Sequence, residues 1–169
     1  MQDELLDIVD NNDNVIGSQW RSKIYQENMS NFRGINGFIR NSKNQLWIPT
    51  RSAHKTLFPL CFDASVGGHV QAGESYEQGF IRELEEELNI KACDVHYTCI
   101  ACLQPHIHNV SSFTHIYEIC TDNVPSYNTN DFVTYEWLTP EELTYKIKHG
   151  APSKSDLIKL IHFAYNQPL

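Results

Sequence analysis

Basic residues are scarce in this chain: 13 Lys and Arg stand against 21 Asp and Glu in 169 residues, a formal net charge of −8. That deficit argues against a broad cationic surface of the kind that grips nucleic acid through its phosphates. Long apolar runs are missing as well. The longest, residues 99–103, has five members, far below the roughly 20 a membrane-spanning helix needs. The opening residues are acidic where a secretory leader would be basic. Five cysteines form an odd count without a regular framework, which favours free thiols in a reducing compartment and hence a cytoplasmic protein. No internal period repeats and no tract is biased enough to serve as a linker, so residues 1–169 are expected to form a single domain. With 41% hydrophobic and 20% charged residues, the chain has the composition of a packed domain and not of a disordered one.

What is present alternates between β-rich stretches and three helical patterns. Strands are expected over residues 5–9 and 15–20 around the turn signal of residues 10–14, then over 34–40 and 46–50, and later over 95–103, 113–120 and 132–138. Residues 121–131 hold Pro125 and several Asn and are expected to be a loop. The first helix, residues 75–88, opens on Ser75 and Gln78, a capping box in which each side chain satisfies an orphan amide. Its apolar stripe of Tyr76, Phe80, Leu84 and Leu88 has the spacing of a core-facing helix side, and Asn89 sits where a left-handed residue would close it. A second helix starts at Thr139-Pro140-Glu141-Glu142, with Pro in the first helical position, and a third spans about residues 153–165. Regular βαβ alternation is absent, so the fold class is α+β or a three-layer sandwich.

The feature that carries chemistry is a face of carboxylates. Glu83, Glu86 and Glu87 lie at i, i+3 and i+4 and therefore share one side of the first helix. Like charges at that spacing repel unless something positive sits among them. Arg82 is in reach of Glu86, and a divalent cation would supply the rest; oxygen-only ligands suit Mg²⁺ or Mn²⁺ better than Zn²⁺. The plainer alternative is a solvated acidic surface. Against it stand the clustering of the glutamates on one face and the preceding Gly67-Gly68 pair, read as a turn whose backbone lets a ligand approach closely.

In residues 68–90 the sequence resembles the Nudix box. Gly68, Glu74, Arg82, Glu83, Leu84, Glu86, Glu87 and Ile90 fall in register with it, and the one departure is Asn89 where the pattern has Gly. Asn is the next-best residue for a left-handed helix end, so the loop–helix geometry is expected to persist. The resemblance implies an α+β fold of the Nudix α/β/α sandwich type with a mixed β-sheet. It also implies Mg²⁺-dependent cleavage of a small-molecule diphosphate. By the same resemblance Glu83 would be the base or a shared ligand, Glu86 and Glu87 direct ligands, and a backbone carbonyl at Gly67 or Gly68 a further ligand. Arg82 would orient the glutamates, and Asp131 is a candidate carboxylate from the loop before the last strand, where an ordinary loop Asp is the equal alternative.

Outside the box, Asp7, Val15, Arg21, Arg51, Lys55, residues 62–69 and residues 137–142 resemble type 1 isopentenyl-diphosphate isomerase and its bacterial hydrolase relatives. Arg51, Lys55 and His69 are thereby candidates for substrate binding; for the two cations, strand-end surface charge is the alternative. The isomerase reading is disfavoured because Gly67 stands where those enzymes have cysteine, Phe32 where they have a metal-binding His, and Ser112 near their catalytic Glu. Without an acid–base pair the alkene has no proton donor. A third reading is a catalytically silent domain that binds a nucleotide. Members of the family are often homodimers, although no self-complementary surface is legible in the sequence.

Other constellations carry less. Cys99 and Cys102, followed by His106 and His108, suggest zinc, but residues three apart on a strand point to opposite faces and would converge only at a bulge. Buried free thiols are therefore expected. Pro105, 15 residues after Ile90, hints at ADP-ribose, with a loop proline the duller explanation. Tyr127, Phe132 and Trp137 are expected to be core aromatics, with stacking on a base as the alternative.

Overall fold

The computed structural model describes residues 3–169. In chain order the elements are β1 (Leu5–Val9), β2 (Val15–Trp20), α1 (Arg21–Gln26), β3 (Arg33–Arg40), β4 (Leu46–Arg51), β5 (Val66–His69) and α2 (Tyr76–Leu88). After a 3₁₀ turn at Ala92–Asp94 come β6 (Tyr97–Leu103), α3 (Pro105–His108), β7 (Phe113–Cys120), β8 (Phe132–Leu138), α4 (Pro140–Lys148) and α5 (Leu157–Tyr165). Strands β1 and β2 pair with each other, and the main sheet runs β6-β7-β3-β4-β8 with β5 also on β3. The β3–β7 pair is parallel and the other neighbours are antiparallel, so the sheet is mixed. Helix α2 covers one face. Its Phe80, Leu84 and Leu88 pack on Ile35, Ile39 and Trp47. Helices α4 and α5 cover the other, where Leu143, Leu160 and Ile161 meet Phe38, Ile48 and Ile116. This is the α/β/α sandwich that the box implies.

Strand β3 is the pivot. Along one edge it pairs with β5 over Gly34–Gly37, and only at Arg40 does it meet β4 through Leu46. Between those contacts the ladder opens, and the buried Ser65 bridges the gap. Its Oγ accepts from the Ile39 N–H (2.9 Å) and donates to the Trp47 carbonyl (2.6 Å). Two backbone groups that would otherwise be orphaned in the core are thus satisfied. Gly37 has a packing role nearby: a Cβ there would sit 2.7 Å from Val66 and 2.9 Å from Phe80, so only glycine lets α2 approach this closely.

Both expected capping boxes form, Ser75 with Gln78 and Thr139 with Glu142. Asn89 closes α2 in the left-handed region at φ 53°. Some expectations need correction. The Gly67-Gly68 pair is not a turn; it lies in β5, in antiparallel register with Asn36 and Ile35 of β3. The short helices α1 and α3 are too brief to leave a periodic signal. Helix α5 begins at Leu157, after residues that pair Phe62 with Ser153.

Candidate active site

Strand β5 runs directly into the loop before α2, so Gly67, Gly68 and the glutamate face are brought together by local chain geometry. Glu83 packs flat on Gly68: a Cβ at Gly68 would lie 2.1 Å from the Glu83 carboxyl carbon and from its Oε1. The close approach foreseen for this glycine is therefore to a carboxylate of the chain itself. One turn further on, Glu87 accepts from the Gly67 N–H at 3.0 Å. Glu83 and Glu87 are each only 8% exposed, whereas the Glu86 side chain is 61% exposed.

Arg82 ties this arrangement together. Its guanidinium donates to both oxygens of Glu74 (3.0 Å each), to Glu83 (2.7 Å) and to the His69 carbonyl (2.8 Å), and lies 3.7 Å from Glu86. Glu74 also accepts from the Gln71 N–H at 2.9 Å, which closes the loop ahead of the helix. Arg82 thus spans strand end, loop and helix in the forked geometry that only guanidinium offers. Arg82 contacts Glu74 and Glu83, the arrangement expected of an orienting group. The anchoring role of Glu74 emerges only from the structure, although its fixed place in the box was the available signal.

The electrostatics are set by burial. Desolvation raises the Glu83 carboxyl to about 7, against the pull of Arg82 and with the help of Glu86 and Glu4. Burial lifts Glu87 well above the ordinary carboxyl value, and the charges of Glu83, Asp63 and Asp131 push the same way while the Gly67 N–H opposes them. For Arg82, burial is outweighed by its bonds to Glu74 and Glu83, so its proton is held more firmly. Two secluded carboxylates with one orienting arginine are short of positive charge. Glu83, Glu86 and Glu87 offer the oxygen-only donor set that suits a divalent cation, with Glu86 facing solvent in this structure.

The remaining candidate residues are placed as follows. Arg51 donates to Asp63 (2.5 Å) and to the carbonyls of Leu57 and Phe58, and Lys55 pairs with Asp131 at 2.5 Å. Both side chains are 13% exposed, so they are ion-paired groups and not free strand-end charge. Since Asp63 and Asp131 both raise Glu87 electrostatically, these two pairs flank the glutamates. The intervening loop holds Phe58 and Leu60 at φ 52° and 57°, a left-handed backbone that branched and bulky residues seldom adopt. His69 is held on both nitrogens, by the Tyr25 hydroxyl at 2.7 Å and by Glu4 at 3.2 Å, with Phe32 against its ring. Glu4 left no signal in the sequence. Asn36 was also missed: its Oδ1 is buried beside Gly67 with no hydrogen-bond partner among the described residues. A lone amide in the otherwise apolar run Ile35–Ile39 was the signal.

At the isomerase positions, Gly67 lies beside the Asn36 amide where the cysteine would be, the Ser112 hydroxyl lies against Gly34 near the place of the catalytic Glu, and Phe32, at the metal-binding His position, is 5% exposed. Tyr127 and Phe132 pack on Trp47 as core aromatics. Pro105 occupies the first turn of α3.

The NUDIX domain model matches residues 31–161, which contain β5, the glutamates and Arg82. The chain belongs to the Nudix family. It is 51% identical over 166 residues, 98% of each chain, to an uncharacterized Nudix hydrolase of Nostoc sp.. It superposes on a crystal structure from Deinococcus radiodurans with a TM-score of 0.91 at 42% identity, covering 96% of this chain and 99% of that one. An isopentenyl-diphosphate delta-isomerase of Serratia proteamaculans is 27% identical over 157 residues, 84% of this chain and 80% of that one. The Nudix fold here is thus that of the family's hydrolases, and α2 with its preceding loop is the Nudix helix. A Nudix hydrolase acts on a small-molecule diphosphate. Among the described residues no helix is long and apolar enough to cross a membrane.

Proposed function

We propose that this chain is a Mg²⁺-dependent pyrophosphohydrolase, with Mn²⁺ an alternative ion, that cleaves the diphosphate of a nucleoside diphosphate derivative or related small organic diphosphate by water attack at phosphorus. The observation that carries the reading is the pair of buried carboxyls, Glu83 and Glu87: among the described residues Arg82 pairs with Glu83, while Glu87 has the Gly67 N–H and no ion-pair partner. Glu83, Glu86 and Glu87 would hold the cation with a backbone oxygen at Gly67 or Gly68, and Asp131 flanks them. Bound there, the ion offsets diphosphate charge and acidifies a water.

The chain's own groups do the rest. Glu83, packed against Gly68 and oriented by Arg82, would take the proton from the attacking water. A bond forms from that water oxygen to phosphorus, the anhydride P–O bond breaks, and the bridging oxygen leaves as phosphate. Glu87 is fixed by the Gly67 N–H and shares the work of binding charge. Arg82 holds Glu83 and Glu74 in place and does not touch substrate. Arg51 and Lys55 are cations that exchange Asp63 and Asp131 for substrate phosphate oxygens, His69 lines the entrance beside Tyr25, and Asn36 offers an unpaired acceptor beneath Gly67.

Incubation with Mg²⁺ and ADP-ribose, dinucleoside polyphosphates, nucleoside triphosphates, NADH and isopentenyl diphosphate tests the reading. Two phosphate-bearing products, lost in Glu86→Gln and Glu87→Gln, are expected. Tight binding without turnover would favour a silent nucleotide-binding domain, and isomerised isopentenyl diphosphate would favour the isomerase. The need for a cation arises from the acidic stretch itself. Residues 74–90 carry six Glu and one Arg, so most of the net charge of −8 belongs to one helix and its approach.

A further inference from the structure

At the far edge of the sheet lies a group of side chains that hydrolysis does not use. Cys99 and Cys102 on β6 and His115 on β7 bring two sulfurs and an imidazole nitrogen within 4.8 Å of one another, and among the described residues no other trio of His, Cys, Asp or Glu does so. The expectation that the two thiols diverge and lie buried fails on both counts. In the β6–β7 ladder Cys99 faces Tyr117, Ala101 faces Ile116 and Cys102 faces His115, so Ile100 is an extra residue on β6. A regular strand would send residues three apart to opposite faces; one inserted residue restores them to the same face. His115 and Tyr117, two apart on an unbroken strand, already share that face, and Cys102 stands directly across from His115. Both cysteines are exposed. The histidines suggested by sequence lie elsewhere: His108 Nδ1 is taken by the Gln104 backbone, and His106 packs near Phe113.

We infer that Cys99, Cys102 and His115 form a second metal site, separate from the glutamates, that takes a thiophilic divalent ion of the zinc type. The geometry is already near what the ion requires. The two sulfurs are 3.8 Å apart. Two thiolates at about 2.3 Å from a tetrahedral zinc would be separated by about 3.8 Å, whereas a disulfide would need them at about 2.05 Å. The imidazole plane is fixed by stacking on Tyr76, with ring centroids 3.6 Å apart and planes 7° apart. Tyr76 is in turn held by Asp13, which accepts its hydroxyl proton at 3.0 Å. A ligand braced by its neighbours costs less ordering when the ion binds. Because β6 is the edge strand and both thiols face solvent, the fourth position is open to water. On binding, the two thiol protons leave to solvent and the ion is held by two thiolates and a neutral imidazole. Tyr76 opens α2 while Glu83 lies seven residues on, about 10 Å along the helix axis. The ion would thus clamp the sheet edge to the start of the Nudix helix.

Cobalt substitution tests this on the full chain, reduced and stripped with chelator. One equivalent of Co²⁺ should produce thiolate-to-cobalt charge-transfer absorption with the strong visible bands of a tetrahedral ion, and Zn²⁺ should bleach both. Cobalt bound by glutamates alone gives no sulfur charge transfer, so Glu86→Gln should leave the signal unchanged. The double variant Cys99→Ser with Cys102→Ser should abolish it. His115→Gln should weaken binding more than about tenfold, the least that even an outer partner typically contributes. Far-UV circular dichroism and chelator melting curves establish that each variant is folded. A reduced protein without charge transfer at saturating Co²⁺ would overturn the inference. So would half-saturation only in the millimolar range, or a signal that survives the double serine variant.

Discussion

Replacing Glu83 with Gln removes a carboxylate the fold secludes at a cost, and the size of that cost follows from the site. In the metal-free protein the carboxyl titrates near 7, against an ordinary value of 4.5, because burial outweighs the attraction of Arg82. The folded state therefore holds a proton that the unfolded chain has already released. Stability from this group is fully present below 4.5 and is lost as pH rises through about 7. At about 1.4 kcal/mol per pKa unit, the loss is about 3 kcal/mol by pH 8. Gln resembles the protonated acid and suffers no such loss, so Glu83→Gln should be the more stable protein in chelator at pH 8. At about 2–4 °C per kcal/mol for a chain of this size, its midpoint should lie about 6–12 °C higher. Removing one charge also eases Glu87, which changes stability in the same direction. The assay is thermal unfolding of both proteins in chelator from pH 5 to 8, read as their difference so that other titrating groups cancel. The gap should open with rising pH. With saturating Mg²⁺ the wild type should gain more than the variant and the gap should narrow. A variant less stable than wild type at pH 8 in chelator, or a gap that widens as pH falls, would refute the reasoning.

Other substitutions probe the supports. Gly68→Ala places a methyl 2.1 Å from the Glu83 carboxyl carbon, so the carboxylate must leave; turnover should fall about 100-fold or more, the scale set by a displacement of about 1 Å, in steady-state kinetics. Arg82→Lys keeps one charge but loses the fork to Glu74, Glu83 and the His69 carbonyl; kcat should drop about 10–100-fold, with little change in KM because the residue does not meet substrate. Ser65→Ala strands the Ile39 N–H and the Trp47 carbonyl in the core; urea unfolding should report a loss of about 1–3 kcal/mol while activity at low temperature is retained.

The parts of this molecule that follow from local chain periodicity were legible in advance. The capped Nudix helix, its apolar stripe and its Asn89 terminus are all short-range features, and the three glutamates share a face because helical spacing alone puts them there. What escaped the sequence depends on contacts between distant segments. The place of Gly67 and Gly68 in β5 is decided by β3, some 30 residues earlier. The hold of Glu4 on His69 joins the residue before β1 to the end of β5. Cys99 and Cys102 look divergent in a regular strand, and the insertion of Ile100 that turns them together is visible only against β7. The pairing of Arg51 and Lys55 with Asp63 and Asp131 likewise arises where β4, its following loop and the start of β8 meet.

The most direct test of the central claim is hydrolysis of a nucleoside diphosphate derivative in water enriched in heavy oxygen, with and without Mg²⁺, followed by mass spectrometry of the products. Attack by water at phosphorus predicts one heavy oxygen in one of the two phosphate-bearing halves, produced only with the divalent ion and lost in Glu87→Gln. Turnover that persists undiminished in Glu87→Gln, or products free of heavy oxygen, would contradict the account.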